Sequence, residues 1–331
     1  MAINPIFTTL GMFIIDEFEY LDEHGNPTDK ESTFEIGGGG TYAAVGARIW
    51  LQPNHIGMII DRGQDFPSAM QHDMEKYGKE MWLFRDRSDG VTTRALNSYR
   101  GEQRGFKYLT PRMRITPRDL EKTRFEKPKM LHFICSPSRA SAIMSEVKEV
   151  KDWRPITIYE PIPINQDRCV PEELPALVNI LPEIRILSPN ADEAMTLLSL
   201  PVPASKQAIE HAAHKFLELG VKDSVVIRSG GMGAYVLGRD REGKWIPAFW
   251  QEASSKVVDV TGAGNSFLGG LAAGLELSNG DVYEASLYAS VSASFTIEQG
   301  GLPVITGQDE WNSDSPSRRL NALRRQIDTE S

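Results

Sequence analysis

Short apolar runs alternate with amphipathic stretches along most of the chain, and this alternation limits the fold more than any other feature. Phe7–Ile15, His55–Ile60, Met130–Ile134, Ile156–Tyr159, Ile184–Leu187, Ser224–Arg228 and Gly233–Leu237 read as strands. Thr41–Trp50, Pro67–Tyr77, Ser138–Val150, Ala191–Leu198, Ser205–Leu219, Ser266–Leu275 and Val282–Thr296 read as helices. The order predicts an α/β fold, a mostly parallel central sheet with helices on both faces. Ligands on such sheets bind beyond the C-terminal strand ends. Asp16, Glu160, Asn190 and Gly230 each follow such an end in this reading, so one cleft is expected.

Two segments, about residues 16–36 and 92–110, interrupt the pattern. The first carries a Gly25-Asn26-Pro27 turn between polar arms; the second has Gly101 and Gly105 near a hairpin tip. Neither has a helical period, and together they predict a small β lid inserted into one domain spanning 1–311. The polar tail 312–331, with Arg318, Arg319, Arg324 and Arg325, predicts a solvated or frayed terminal helix.

Composition narrows the function. A hydrophobic fraction of 40% and a charged fraction of 24% are those of a globular protein. A net charge of -9 opposes general nucleic-acid binding, which needs a basic footprint. Cys135 and Cys169 are too few for a disulfide framework or a zinc site, and the six histidines lack metal spacing. No apolar run is long enough to span a membrane, and the N-terminal residues make a poor signal peptide. A cytoplasmic location is the expectation.

The residues with chemistry lie in Gly-rich turns. Asp259-Val260-Thr261-Gly262-Ala263-Gly264-Asn265-Ser266-Phe267-Leu268-Gly269-Gly270 is a turn that opens an apolar helix. Free backbone N–H groups and the helix dipole there favour an anion, including a developing phosphoryl charge. A general base in that turn would take a proton from a hydroxyl; an Asp would serve, whereas Asn265 cannot accept one at neutral pH. Gly37 to Gly40, followed by Thr41 and Tyr42, lets a ligand approach the backbone, and Tyr42 offers a ring for stacking. Asn190 and Glu193 provide hard oxygens for magnesium, or a capping box, or both. Arg228 to Gly233 reads as strand, glycine turn and strand, with Arg228 able to pair with a phosphate or a nearby acid.

These motifs resemble the PfkB family of ribokinase-like carbohydrate kinases, whose signature runs Asp-Thr-x-Gly-Ala-Gly-Asp and then x-Phe-x-Gly-Gly. Asp259, Gly262, Ala263, Gly264, Phe267, Gly269 and Gly270 match it, and Asn265 stands where the family has its catalytic Asp. Asn190 and Glu193 match the family's Asn-x-x-Glu; Gly230 and Gly233 match its nucleotide hairpin, with Arg228 replacing a Thr. Tyr42 replaces a sugar-binding Asn, and the Asp-Pro-Asn-x-Arg run of relatives gives way to Glu160 and Pro161, with Asn165 and Arg168 later. The wording is most similar to a fungal, Mak32-like subgroup.

The resemblance implies a ribokinase-like three-layer fold and transfer of the ATP γ-phosphate to a hydroxymethyl group of a sugar, polyol or nucleoside. Gly262, Ala263 and Gly264 would then stabilise the phosphoryl group beside Asn265. Asp16, Gly38, Gly39, Tyr42 and Glu160 would hold the substrate. Arg228, Gly230, Gly233 and Ser290 would hold the nucleotide, with Mg²⁺ organised by Asn190 and, through water, by Glu193. A monovalent cation beside Asp259 and a homodimer through the lid are further implications. The changes at Tyr42, Arg228 and Asn265 leave two alternatives open: a pseudokinase that binds without turnover, and a lyase or hydrolase reusing the cleft.

Overall fold

Alternation within the strands sends successive side chains into two separate apolar layers. In 56–60, Ile56, Met58 and Ile60 enter one core, while Ile59 enters the other; in 225–227, Val226 enters the first, and Val225 and Ile227 the second. A sheet buried on both faces is the consequence, as expected for parallel strands with helical crossovers. The computed structural model describes residues 4–330 except 25, 30–32, 89, 101–102, 163–169 and 252. Gly25, Gly101, Asn165, Arg168 and Cys169 therefore lie outside the described residues.

The strands are β1 (Phe7–Thr9), β2 (Ile14–Leu21), β3 (Thr33–Gly37), β4 (Ile56–Arg62), β5 (Trp82–Asp86), β6 (Arg94–Arg100), β7 (Gln103–Tyr108), β8 (Met130–Cys135), β9 (Ile156–Pro161), β10 (Ile186–Leu187), β11 (Ser224–Arg228), β12 (Ala234–Gly238) and β13 (Lys244–Ile246). The helices are α1 (Gly39–Arg48), α2 (Ser68–Glu75), α3 (Pro137–Glu149), α4 (Leu174–Ile180), α5 (Ala191–Leu197), α6 (Lys206–Glu218), α7 (Ala263–Leu277), α8 (Val282–Thr296) and α9 (Pro316–Glu330). The main sheet runs β13-β12-β11-β10-β9-β8-β1-β4-β5, parallel except for β12 and β13 at one edge. Residues of α1, α7, α8 and α9 fill one core, and residues of α3 to α6 the other. The strand order reverses at β1, which lies between β4 and β8, so a topological switch point opens beyond the ends of β1 and β8.

A second sheet, β3-β2-β6-β7, is the lid. Here one expectation fails. Phe7–Ile15 is not a single strand: β1 ends at Thr9, and Gly11 lies so close to α1 that a Cβ on it would sit 2.6 Å from the Gly40 Cα. The chain turns there and re-enters as β2, so Asp16 sits within a lid strand, opposite Glu35 and Ala95, rather than past the end of a core strand.

The tail also differs from its expectation as a solvated helix. Leu320 and Leu323 of α9 are buried in the first core. Arg319, 2% exposed, pairs with Glu298 at 2.7 Å and Asp314 at 2.8 Å, and its guanidinium lies 3.7 Å from the Phe295 ring centre. Two carboxylates and an aromatic face compensate the buried charge. No helix among the described residues is long and apolar enough to cross a membrane.

Candidate active site

Two clefts open at the carboxyl ends of the strands. The first, about 630 Å³, lies at the switch point under the lid. The lid contributes Asp16, whose Oδ1 accepts a hydrogen bond from Asn97 Nδ2 at 3.2 Å. Gly37 makes room for this carboxylate: a Cβ there would lie 1.8 Å from Asp16 Oδ2. Gly38, with φ 91°, turns the chain into α1, and Gly39 follows in the same wall. Tyr42 lines the cleft but is 4% exposed, its ring pressed on Gly262, where a Cβ would lie 2.3 Å from ring atoms. Burial, then Asp16, Asp259 and Glu35, push its hydroxyl far above the usual range, so it stays protonated.

The second cleft, about 370 Å³, has apolar walls that include Pro247, Phe249, Trp250, Val260 and Ile297. Gly230 (φ 55°) and Gly233 (φ 90°) shape its hairpin rim. Ser290 faces it from α8 and donates to the Pro247 carbonyl at 2.8 Å. A flat ring system suits such walls, and the charged lining residue, Arg228, marks one end.

That end is the junction of the clefts, and four side chains meet there. Arg228, at the tip of β11, has a side chain only 10% exposed and donates to Glu160 Oε1 at 2.9 Å and to the Ser188 carbonyl at 3.0 Å. Asn265, in the first turn of α7, donates from Nδ2 to the other Glu160 oxygen at 2.8 Å. Glu193 Oε2 lies 3.8 Å from Arg228. The guanidinium also lies against α7: a Cβ on Gly264 would be 2.2 Å from Arg228 Nη1. A cation beside a helix N-terminus is unfavourable unless an anion bridges the two. The backbone N–H groups of Gly264 and Asn265 have no protein acceptor among the described residues, and Arg228 Nε and Thr261 Oγ1 are buried without a partner there. Gly262 caps α7 at φ 76° with no side-chain cap, and Ala263 leads the helix. Asp259 Oδ1 accepts the Thr261 N–H at 2.9 Å and so fixes the turn.

Asn190 and Glu193 form the capping box of α5: Asn190 Oδ1 accepts the Glu193 N–H at 2.8 Å, and Glu193 Oε2 accepts the Asn190 N–H at 2.7 Å. No group of three His, Cys, Asp or Glu that could hold a metal occurs among the described residues. The donor set does fit magnesium held by one carboxylate together with substrate phosphates.

Burial, then the Glu160 charge, push the Glu193 carboxyl up to about 7. A carboxylate raised in the folded state binds more protons there than in the unfolded chain, so stability falls as pH rises from about 4.5 to about 7. Glu193→Gln keeps the acceptor for Asn190 and removes the titration. Its stability, followed by urea unfolding from pH 4.5 to 8, is expected to lack that part of the decline. A slope identical to that of the parent would contradict the assignment.

The structure thus brings Glu160, Asn265, Arg228 and Glu193 together, with Asp16, Gly38, Gly39 and Tyr42 in the first cleft and Gly230, Gly233 and Ser290 in the second. Asn97, Tyr108, Arg112, Arg114 and Arg139 also line the first cleft and escaped the sequence reading, as did Phe249 and Trp250 in the second. The doublet Arg112-Met113-Arg114 directly after the lid hairpin was the available signal for two of them.

Residues 122–304 match the model of the pfkB family carbohydrate kinases. An uncharacterized protein of Schizosaccharomyces pombe is 33% identical, over 95% of this chain and 91% of its own length. Protein MAK32 of Saccharomyces cerevisiae is 34% identical, over 91% of this chain and 86% of its own length. Among solved structures, Arabidopsis thaliana ribokinase complexed with ribose and ATP superposes with a TM-score of 0.68 at 18% identity, covering 97% of this chain and 99% of that one. The likeness shows a ribokinase-type three-layer fold.

Proposed function

Since this chain belongs to the pfkB family of carbohydrate kinases, we propose that it transfers the γ-phosphoryl group of ATP to a hydroxymethyl group of a sugar or nucleoside. The observation that carries this reading is the junction: an unpaired helix N-terminus and a buried arginine with an orphan N–H, set between two clefts. A phosphoryl group held there would accept hydrogen bonds from the Gly264 and Asn265 amides and from Arg228. Phosphoryl transfer rests mostly on positioning and charge stabilisation, which these groups supply. Asp16 and Asn97 would hold substrate hydroxyls, and Gly38 and Gly39 would let the substrate reach the backbone. The aromatic walls and the glycine hairpin would take the base of the nucleotide. Asn190 and Glu193 would hold magnesium through water, which supplies charge neutralisation across the phosphates.

Asn265 cannot be the base, but it donates to a carboxylate that can. Glu160 is in our reading the group that accepts the hydroxyl proton, with Asn265 and Arg228 setting its orientation. Glu160→Gln is expected to lower turnover by about 10²–10⁴-fold and change ATP affinity by less than about fivefold. Unchanged turnover in that variant would overturn the role of Glu160.

One observation favours a second reading. Both Glu160 oxygens are engaged, by Arg228 and by Asn265, as in a site closed to proton transfer. Saturable nucleotide binding without ADP formation for any acceptor would support that pseudokinase, and turnover without ATP a repurposed lyase or hydrolase. For assembly, we read the lid edge strand β3, with its exposed Phe34, as the place for a second copy.

A further inference from the structure

The wall of the first cleft away from α7 is basic. Arg112 and Arg114 reach it from the segment after β7, and Arg139 from the first turn of α3. Each lacks a carboxylate within 4.0 Å among the described residues, whereas Asp16 and Glu160, the cleft's acids, are held by Asn97 and by Arg228 with Asn265. Arg139 spends one N–H on the Ile115 carbonyl at 2.9 Å, and Arg112 lies over the Tyr108 ring at 5.1 Å. Burial first, and Arg114 among its neighbouring charges, push the Arg139 guanidinium below its ordinary value, while Cys135, Glu146 and Asp119 oppose this. Asp119 is engaged by Arg85, and Glu146 by the Arg118 N–H. At the same wall Ser136, the residue before α3, makes no side-chain cap, and the Ser138 and Arg139 N–H groups have no protein acceptor among the described residues. In a chain of net charge -9, three like charges gathered on one cleft wall need an anion.

We propose that this wall binds a phosphate monoester carried by the acceptor, so that the acceptor is a sugar phosphate or nucleoside phosphate rather than the free compound. This rests on the reading of the first cleft as the acceptor site. A carboxylate would be satisfied by one bidentate arginine; a dianionic phosphate, with three acceptor oxygens, matches several guanidiniums and the amides of a helix N-terminus. The hydroxyls of the same molecule would then face Asp16 and Asn97.

The test is calorimetric titration of the full chain, without nucleotide, with ribose 1-phosphate, fructose 6-phosphate, their unphosphorylated sugars and gluconate. At least one phosphate is expected to bind about ten- to a hundredfold more tightly than its free sugar. Arg114→Gln and Arg139→Gln should each remove about tenfold of that margin and leave the affinity for the free sugar within about threefold. Arg114 is exposed, so its variant should fold as the parent does. Equal affinity for phosphate and free sugar, a margin kept in both variants, gluconate binding as tight as the phosphates, or no binding of any probe would each overturn the subsite. ADP titrated in parallel separates the two claims, because loss of nucleotide binding would count against phosphoryl transfer and leave the subsite standing.

Discussion

Arg228→Met is expected to destabilise the protein by about 3–5 kcal/mol at pH 8, because it strands two buried carboxylates. Glu160 loses its partner at 2.9 Å, and Glu193 loses the nearby cation that holds its carboxyl down. Glu193 then favours the protonated form more strongly in the folded state. The penalty should shrink as the pH is lowered to about 5, where protonation relieves it. Chemical unfolding at the two pH values measures this directly. The double variant Arg228→Met/Glu160→Met should recover most of the loss, since a buried pair replaced by apolar groups of similar size is often neutral or better. A single variant as stable as the parent at pH 8 would mean that the ion pair is exposed to water. Phosphoryl transfer should fall by at least about 10³-fold, the scale of a lost transition-state cation.

Gly262→Val carries the second large effect. Gly262 sits at φ 76°, where a side chain costs about 1–2 kcal/mol. Its Cβ would also lie 2.3 Å from the Tyr42 ring, and overpacking a tight site adds about 1–3 kcal/mol. The turn must shift, and with it the amides of Gly264 and Asn265. A loss of about 10²–10³-fold in turnover is expected, as for removal of an oxyanion-hole donor. Adding Tyr42→Ala should recover the packing share of the stability loss but not the φ share. Melting temperatures of the single and double variants separate the two; full recovery would show that the left-handed backbone costs nothing.

The sheet and its helices were legible because period-two and period-3.6 patterns act locally. α8 is observed from Val282 to Thr296, as read from the sequence, and the Asp281 side chain caps it. Asp16 was misplaced because Phe7 to Ile15 carries no charge and hides the break, which depends on the contact of Gly11 with Gly40. α9 read as solvated because its buried arginine is neutralised by Asp314 and Glu298, and no local pattern announces such pairing. The junction has the same character. Glu160 is the penultimate residue of β9 and Arg228 ends β11, and they meet because the intervening β10 is only two residues long and its following carbonyl, Ser188, turns to the guanidinium. The glycine turn that opens α7 was legible from spacing alone. The partner of Asn265 was not, since it comes from a strand 105 residues away.

The most direct measurement is transfer of label from γ-labelled ATP, with magnesium, to a panel of sugars, nucleosides and their phosphates. Phosphorus NMR then identifies any new phosphoester. One phosphoester per ADP formed is expected for at least one acceptor, with near-complete loss of product in Glu160→Gln. Label that stays on ATP for every acceptor, while ADP binds and the chain is folded, would contradict phosphoryl transfer as the function of this cleft.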